Sequence, residues 1–361
     1  MKRREFVMAS SALAVSPLIA RPGRAAAPAE IEPGPWRSFQ AITVVKLRPC
    51  NSAKAWMPVP SFKEAAWMRP GPSTWHGNAE EVAIVSDPRS GTQMVYAQWP
   101  KGSRSGGELA VTSHVSTRNL DVDLAKRDDA VTLSAAEIAL YTAPTKYIPT
   151  DGIVKRTANS ATAGATTDLE KARKIYEWVV VNTSRNPKTR GCGLGNIDFM
   201  LQSGDYTGKC ADINGLAVGL ARASGLPARD LYGVRVAPSE LGYKALGANS
   251  ATITKAQHCR AEVFVAGYGW IPLDPADVRK VVLEEPPGNL SMNDQKVVEA
   301  RRLLFGSWEG NYMAYNDGHD IVLPGSTGDD VAFLMYPQAE VDGQRLDSLD
   351  APTFVYEITV S

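Results

Sequence analysis

A chain of 361 residues with 39 basic and 39 acidic side chains carries no net formal charge, which argues against the basic surface that nucleic-acid binding needs. Its 44% hydrophobic and 22% charged residues are ordinary for a globular protein. The length admits two domains and is ample for a core without disulfides.

Residues 1–27 read as an export signal. Lys2, Arg3 and Arg4 form a basic start, residues 6–20 an apolar run, and Ala25-Ala26-Ala27 a small-residue cleavage site. The run is short of the roughly 20 apolar residues that a spanning helix needs. Arg3-Arg4-Glu5-Phe6-Val7 resembles the twin-arginine export pattern, so a periplasmic or secreted location is expected, with no transmembrane segment in the mature chain. The alternative is an uncleaved N-terminal anchor. Removing these residues leaves 34 Lys+Arg against 38 Asp+Glu, a formal charge of −4.

Residues 28–150 are expected to form a β-rich domain. Runs at 41–47, 81–85, 94–99 and 109–115 are rich in β-branched and aromatic residues, with Pro, Gly, Asn or Asp between them. That pattern suggests a sandwich, with Pro58 and Pro60 on an edge or in a loop. Residues 126–165 read as a polar connection. A mixed α/β core is expected over 155–285. Thr167-Asp-Leu-Glu170 is a capping box, and the apolar residues after it recur at helical spacing as far as Asn182. Residues 189–208 are Gly-rich and irregular. A second helix starts at Cys210, with Gly225 at its left-handed terminus. Strands are expected at 231–236, 259–265 and 270–273, the last two joined by a hairpin turn at 266–269. A linker or excursion follows at 284–288. A β-rich extension over 290–361 ends in strand-like runs at 331–336 and 354–360.

The chemistry concentrates at three places. Gly208-Lys209-Cys210 puts a cysteine where an apolar helix begins. A helix N-terminus and the Lys209 charge both favour a thiolate, the form that attacks carbonyls, and the Cys210 N–H would face a developing oxyanion. Such a thiolate needs a base beside it. Of the four histidines, His258 heads a strand, and Asp274 ends the returning segment sixteen residues later. A hairpin of that length brings its open ends together, so Asp274 can orient the His258 imidazole. His76, His114 and His319 sit in no motif and are expected on the surface. Arg260 and Glu262 share the His258 face of the strand, where they line a cleft or pair with each other.

Helix-opening GKC, LARASGLPAR at 220–229, QHCRAEVFV at 257–265 and GYGWIPLDP at 267–275 together resemble the transglutaminase-like superfamily. The resemblance covers about residues 165–285. It implies an α+β fold with a papain-like core, with Cys210 as nucleophile, His258 as general base and Asp274 as orienting acid. Trp270 matches an aromatic that precedes the acid. The resemblance also implies a second oxyanion donor upstream of the cysteine, for which Trp178, Gln202 and Tyr206 are candidates. The implied activity is acyl transfer from peptide or protein carboxamides, which water turns into peptidase or amidase action and an amine into cross-linking. Peptide or cell-envelope substrates are the expected partners. The alternative is a catalytically silent module that binds peptides.

No cofactor is expected. Zinc sites favour paired ligands such as C-x₂-C, a spacing that Cys192, Cys210, His258 and Cys259 lack, and no calcium-loop spacing occurs. With Cys210 free, Cys50, Cys192 and Cys259 leave room for one disulfide, for which Cys192–Cys259 is the favoured pair.

Overall fold

The computed structural model describes residues 31–361 apart from 64, 100, 101 and 103–105. The expected export signal at 1–27 lies outside the described residues.

The N-terminal strands pair as their alternation requires. Along Arg37–Leu47, Ala41, Thr43, Val45 and Leu47 are buried while their neighbours are more exposed. This strand runs antiparallel to Gly107–Thr117 along its whole length, and Met68–Gly77 joins the far side of Gly107–Thr117. Val355–Val360 from the C-terminus closes the other side of Arg37–Leu47. A second sheet runs in the order Gln344–Arg345, Gln338–Val341, Ala53–Pro58, Gln93–Trp99, Glu81–Ser86. Val45, Met57, Val95, Trp99, Val111, Ala339 and Phe354 meet in the core between the two sheets. The sandwich is therefore built from both ends of the chain.

Several expectations need correcting. Ala53–Pro58 is an interior strand, with Pro58 as its last residue, so the missing N–H ends the ladder and does not interrupt it. Met68–Gly77 is an edge strand that Pro70 and Pro72 disguise in the sequence. Residues 126–165 hold two helices, Ala135–Thr142 and Gly152–Ala161. The first buries no residue fully and the second only Val154 and Ala158. Beyond Asp274 come the helices Pro275–Glu284 and Gln295–Leu303. Residues 331–336 make only an isolated bridge, Ile321 to Val331.

The core is α+β. Its antiparallel sheet runs Gly269–Leu273, Gln257–Val265, Ala228–Arg235, Tyr312–Asn316. The helix Cys210–Ala223 packs on it with every residue but Asp212 buried, which is why its sequence is almost wholly apolar or small. Gly225 ends the helix at φ +83°, a conformation that costs other residues a steric clash. Asp168–Asn182 begins at the Thr167/Glu170 capping box and packs alongside. Among the described residues, no helix is long and apolar enough to cross a membrane.

Candidate active site

Cys210 is the first residue of its helix and is 3% exposed. Its N–H, in the first turn, has no acceptor within the helix. Asp212 secures the surrounding backbone: Oδ2 accepts from the Lys209 N–H at 3.0 Å, and Oδ1 from the amides of Leu194 and Gly195 at 3.1 and 3.0 Å. Burial pushes this carboxyl up against the pull of those three amides. Gly193 lets the loop approach, because at φ +94° an added Cβ would lie 1.9 Å from Asp212 Oδ2. This loop delivers Cys192, whose carbonyl accepts from Ala211 N at 2.9 Å and whose N–H donates to the Tyr336 hydroxyl at 2.8 Å.

The sulfurs of Cys192, Cys210 and Cys259 lie within 4.8 Å of one another, all buried. All three are free thiols, so the expected Cys192–Cys259 bridge is not formed. Those two sulfurs do converge, but they share the space with Cys210, so no single pair is set apart. Hydrogen bonds from the Cys210 and Cys259 thiols hold the Cys192 thiol well below the usual thiol range, against the opposing effect of burial, and the Tyr336 hydroxyl adds to the pull.

His258 and Asp274 meet as the hairpin geometry requires. Gly269–Leu273 returns along Gln257–Val265 with Leu273 opposite Ala261. Asp274 then caps the next helix, with Pro275 at its first position. His258 Nε2 lies 2.8 Å from Asp274 Oδ2, with the residues 4% and 1% exposed. That contact leaves Nδ1 as the nitrogen able to exchange a proton with a neighbour. Asp274 Oδ1 accepts from Asn214 Nδ2 at 2.9 Å and Asp277 N at 3.0 Å. Asn214 also donates to the Cys259 carbonyl and accepts from Ala276 N, so its amide is satisfied on both sides.

A second carboxylate, Asp277, lies 3.5 Å from His258 Nε2 and is gripped at both oxygens by Arg235, at 2.6 and 2.9 Å. Burial pushes Asp277 up, but the Arg235 and His258 charges outweigh it and hold the carboxyl far below its usual range. Burial and Arg235 push His258 down, Asp277 and Asp274 push it up, and the balance is upward.

Cys210 and His258 line one cleft of about 700 Å³. Among the described residues no hydrogen bond joins the Cys210 thiol to the imidazole. Trp178, Gln202 and Tyr206 do not line this cleft. Trp178 packs on Tyr206 with ring centroids 6.0 Å apart, and Gln202 donates to Asp198. Tyr336 does line it, and nothing in the sequence marks that residue. Asn214, Arg235 and Asp277 were also missed. Asn214 stands one helical turn after Cys210 and Asp277 one turn after Asp274, the only local signals for either.

Arg260 and Glu262 neither line the cleft nor pair with each other. Glu262 accepts from Arg229 and from Trp67 Nε1, and Arg260 donates to the Glu309 carbonyl and to Asn311. His76 is exposed, and His114 is half-buried with Nδ1 3.1 Å from the Pro72 carbonyl. The His319 side chain is only 9% exposed, with Nε2 3.3 Å from Asp230 Oδ2, a correction to its expected surface position.

Among the described residues, two groups of donors could hold an ion: the three sulfurs, and His258 with Asp274 and Asp277. Spacing hid the first group, which assembles from three separate segments, while the neighbouring His258 faces its carboxylate partners instead. Arg235 already neutralises part of the second.

Residues 155–275 match the Transglutaminase-like superfamily. An uncharacterized protein of Haemophilus influenzae is 32% identical over 316 residues, covering 84% of each chain. A candidate cysteine protease of Cytophaga hutchinsonii superposes with a TM-score of 0.50 at 13% identity, covering 92% of this chain and 100% of that one. The periplasmic domain of TgpA from Pseudomonas aeruginosa gives a TM-score of 0.34 at 14% identity, covering 67% of this chain and 88% of that one. At 13% identity, the Cytophaga likeness is one of fold.

Proposed function

This chain belongs to the transglutaminase-like superfamily, and we propose that it is a cysteine-dependent acyl-transfer enzyme with Cys210 as nucleophile, His258 as general base and Asp274 as the orienting acid. The observation that carries this reading is the buried 2.8 Å contact between His258 Nε2 and Asp274 Oδ2, on the wall of the cleft that Cys210 also lines.

In this reading the Cys210 thiol gives its proton to His258 Nδ1, and its sulfur attacks the carbonyl carbon of a carboxamide. Asp274 holds the ring and stabilises the imidazolium. The Cys210 N–H meets the oxyanion of the tetrahedral intermediate. As the C–N bond breaks, His258 returns the proton to the departing amine, leaving a thioester on Cys210. Water or a second amine then attacks the thioester, His258 takes a proton from the attacker, and the thiol leaves with it. Water makes the protein a peptidase or amidase, and an amine makes it a transamidase. In an empty site such hydrogen bonds are commonly loose and tighten around substrate. The order of basic, apolar and small residues at 1–27 supports a site of action outside the cytoplasm.

The test is alkylation of Cys210 by limiting iodoacetamide over a pH series, read by peptide mapping, in the wild type and in His258→Ala. Preferential labelling of Cys210 at mildly acidic pH, lost in the variant, is the expected result. An inert Cys210, or one that reacts alike in both proteins, would overturn the reading in favour of a non-catalytic peptide-binding module.

A further inference from the structure

Six cationic side chains line the cleft around Cys210 and His258: Arg185, Arg190, Lys209, Arg235, Lys255 and Lys280. Among the described residues, no aspartate or glutamate lines it. Basic and acidic residues are equal in number over the whole chain, so the excess is local. Arg185, Arg190 and Arg235 pair with Glu284, Asp347 and Asp277, none of which lines the cleft, and Lys280 lies 3.9 Å from Glu284. Among the described residues no carboxylate pairs with Lys209 or Lys255. Lys209 directly precedes Cys210, and the exposed Lys255 stands just ahead of the strand that opens with Gln257 and His258. Each free ammonium is thus carried by a segment that also carries a member of the proposed catalytic pair. Burial first, and then the nearby Arg235 charge, push the Lys280 ammonium below its usual range, against the pull of Asp277.

A concave site walled by one sign of charge concentrates ligands of the other sign, and carboxylates form charge-assisted hydrogen bonds with ammonium and guanidinium groups. We infer that the cleft takes an acyl donor bearing carboxylates close to its scissile amide, an acidic peptide, with Lys209 and Lys255 as the residues that bind those carboxylates. The inference rests on the acyl-transfer reading of Cys210. It adds a substrate class that neither the fold nor the Cys210, His258 and Asp274 set specifies.

The experiment compares Cys210 labelling by anionic iodoacetate and neutral iodoacetamide at one pH, with glutathione as the reference thiol. The iodoacetate-to-iodoacetamide rate ratio should exceed that of glutathione by about tenfold at low salt. It should fall towards the glutathione value in 1 M salt and drop several-fold in Lys255→Gln. A Glu-rich peptide should also protect Cys210 from iodoacetamide at concentrations where its Gln-for-Glu counterpart does not. A glutathione-like ratio with equal protection by the two peptides would overturn the substrate class while leaving a reactive Cys210, and so the acyl-transfer reading, intact. A Cys210 inert to both reagents would remove both.

Discussion

Asn214 Nδ2 donates to Asp274 Oδ1 at 2.9 Å, so the helix that begins at Cys210 holds the carboxylate that faces His258. Nucleophile and acid come from separate elements, and this amide is a direct tie between them. Replacing Asn214 by Ala would leave Asp274 Oδ1 and the Cys259 carbonyl each one donor short. We expect a loss of about 1–3 kcal/mol in unfolding free energy. We also expect the pH profile of Cys210 alkylation to shift towards that of His258→Ala. Denaturant titration and alkylation kinetics read the two effects separately, and a stability loss with an unchanged pH profile would limit Asn214 to a structural role.

Arg235 and Asp277 form a fully buried pair, each 2% exposed at the side chain. Removing one partner strands a charge, so Arg235→Met or Asp277→Asn should cost about 3–5 kcal/mol, and removing both together considerably less. Asp277 is depressed in the fold, so it contributes stability that is present above the unfolded carboxylate range and lost as pH falls through its folded value. Urea midpoints from pH 7 down to pH 3 should therefore fall more steeply for the wild type than for Asp277→Asn.

His258 has the opposite sign. Its pKa is raised in the fold, so its contribution is fully present below the unfolded value near 6.5 and fades as pH rises through the folded value. The difference in unfolding free energy between wild type and His258→Gln should shrink on going from pH 6 to pH 9. A constant difference would mean that the imidazole is not held as a cation by Asp277 and Asp274.

The three converging thiols make an oxidation prediction. With sulfurs within 4.8 Å of one another, a mild dithiol oxidant should remove two alkylatable thiols per chain and protect Cys210 in a fraction of molecules. Reductant should restore them. In the double variant Cys192→Ser, Cys259→Ser, Cys210 should stay labelled throughout. Mass mapping of the bridged peptides decides the pairing, and a Cys210 that is never protected would show that its sulfur does not reach the other two.

The local grammar of this chain was open to reading because short-range physics writes it. A capping box at Thr167 and Glu170, a cysteine at the head of an apolar run, a glycine at φ +83° and a hairpin returning Asp274 to His258 each lie within about twenty residues, and periodicity, turn chemistry and strand alternation act over that distance. What depended on distant contacts left no such trace. Tyr336 meets Cys192 across 144 positions, and Arg235 meets Asp277 across 42. The strand Val355–Val360 completes a sheet begun at Arg37. The gathering of six cations around the cleft, from a chain of balanced composition, is also invisible until the fold is closed. Sequence alone determined where the helix begins beneath Cys210 and how His258 finds Asp274, because those choices are made by neighbours in the chain. Only the tertiary structure decided what surrounds them, because burial, ion pairing and the charge of a cleft depend on distance in space, which composition and spacing do not record.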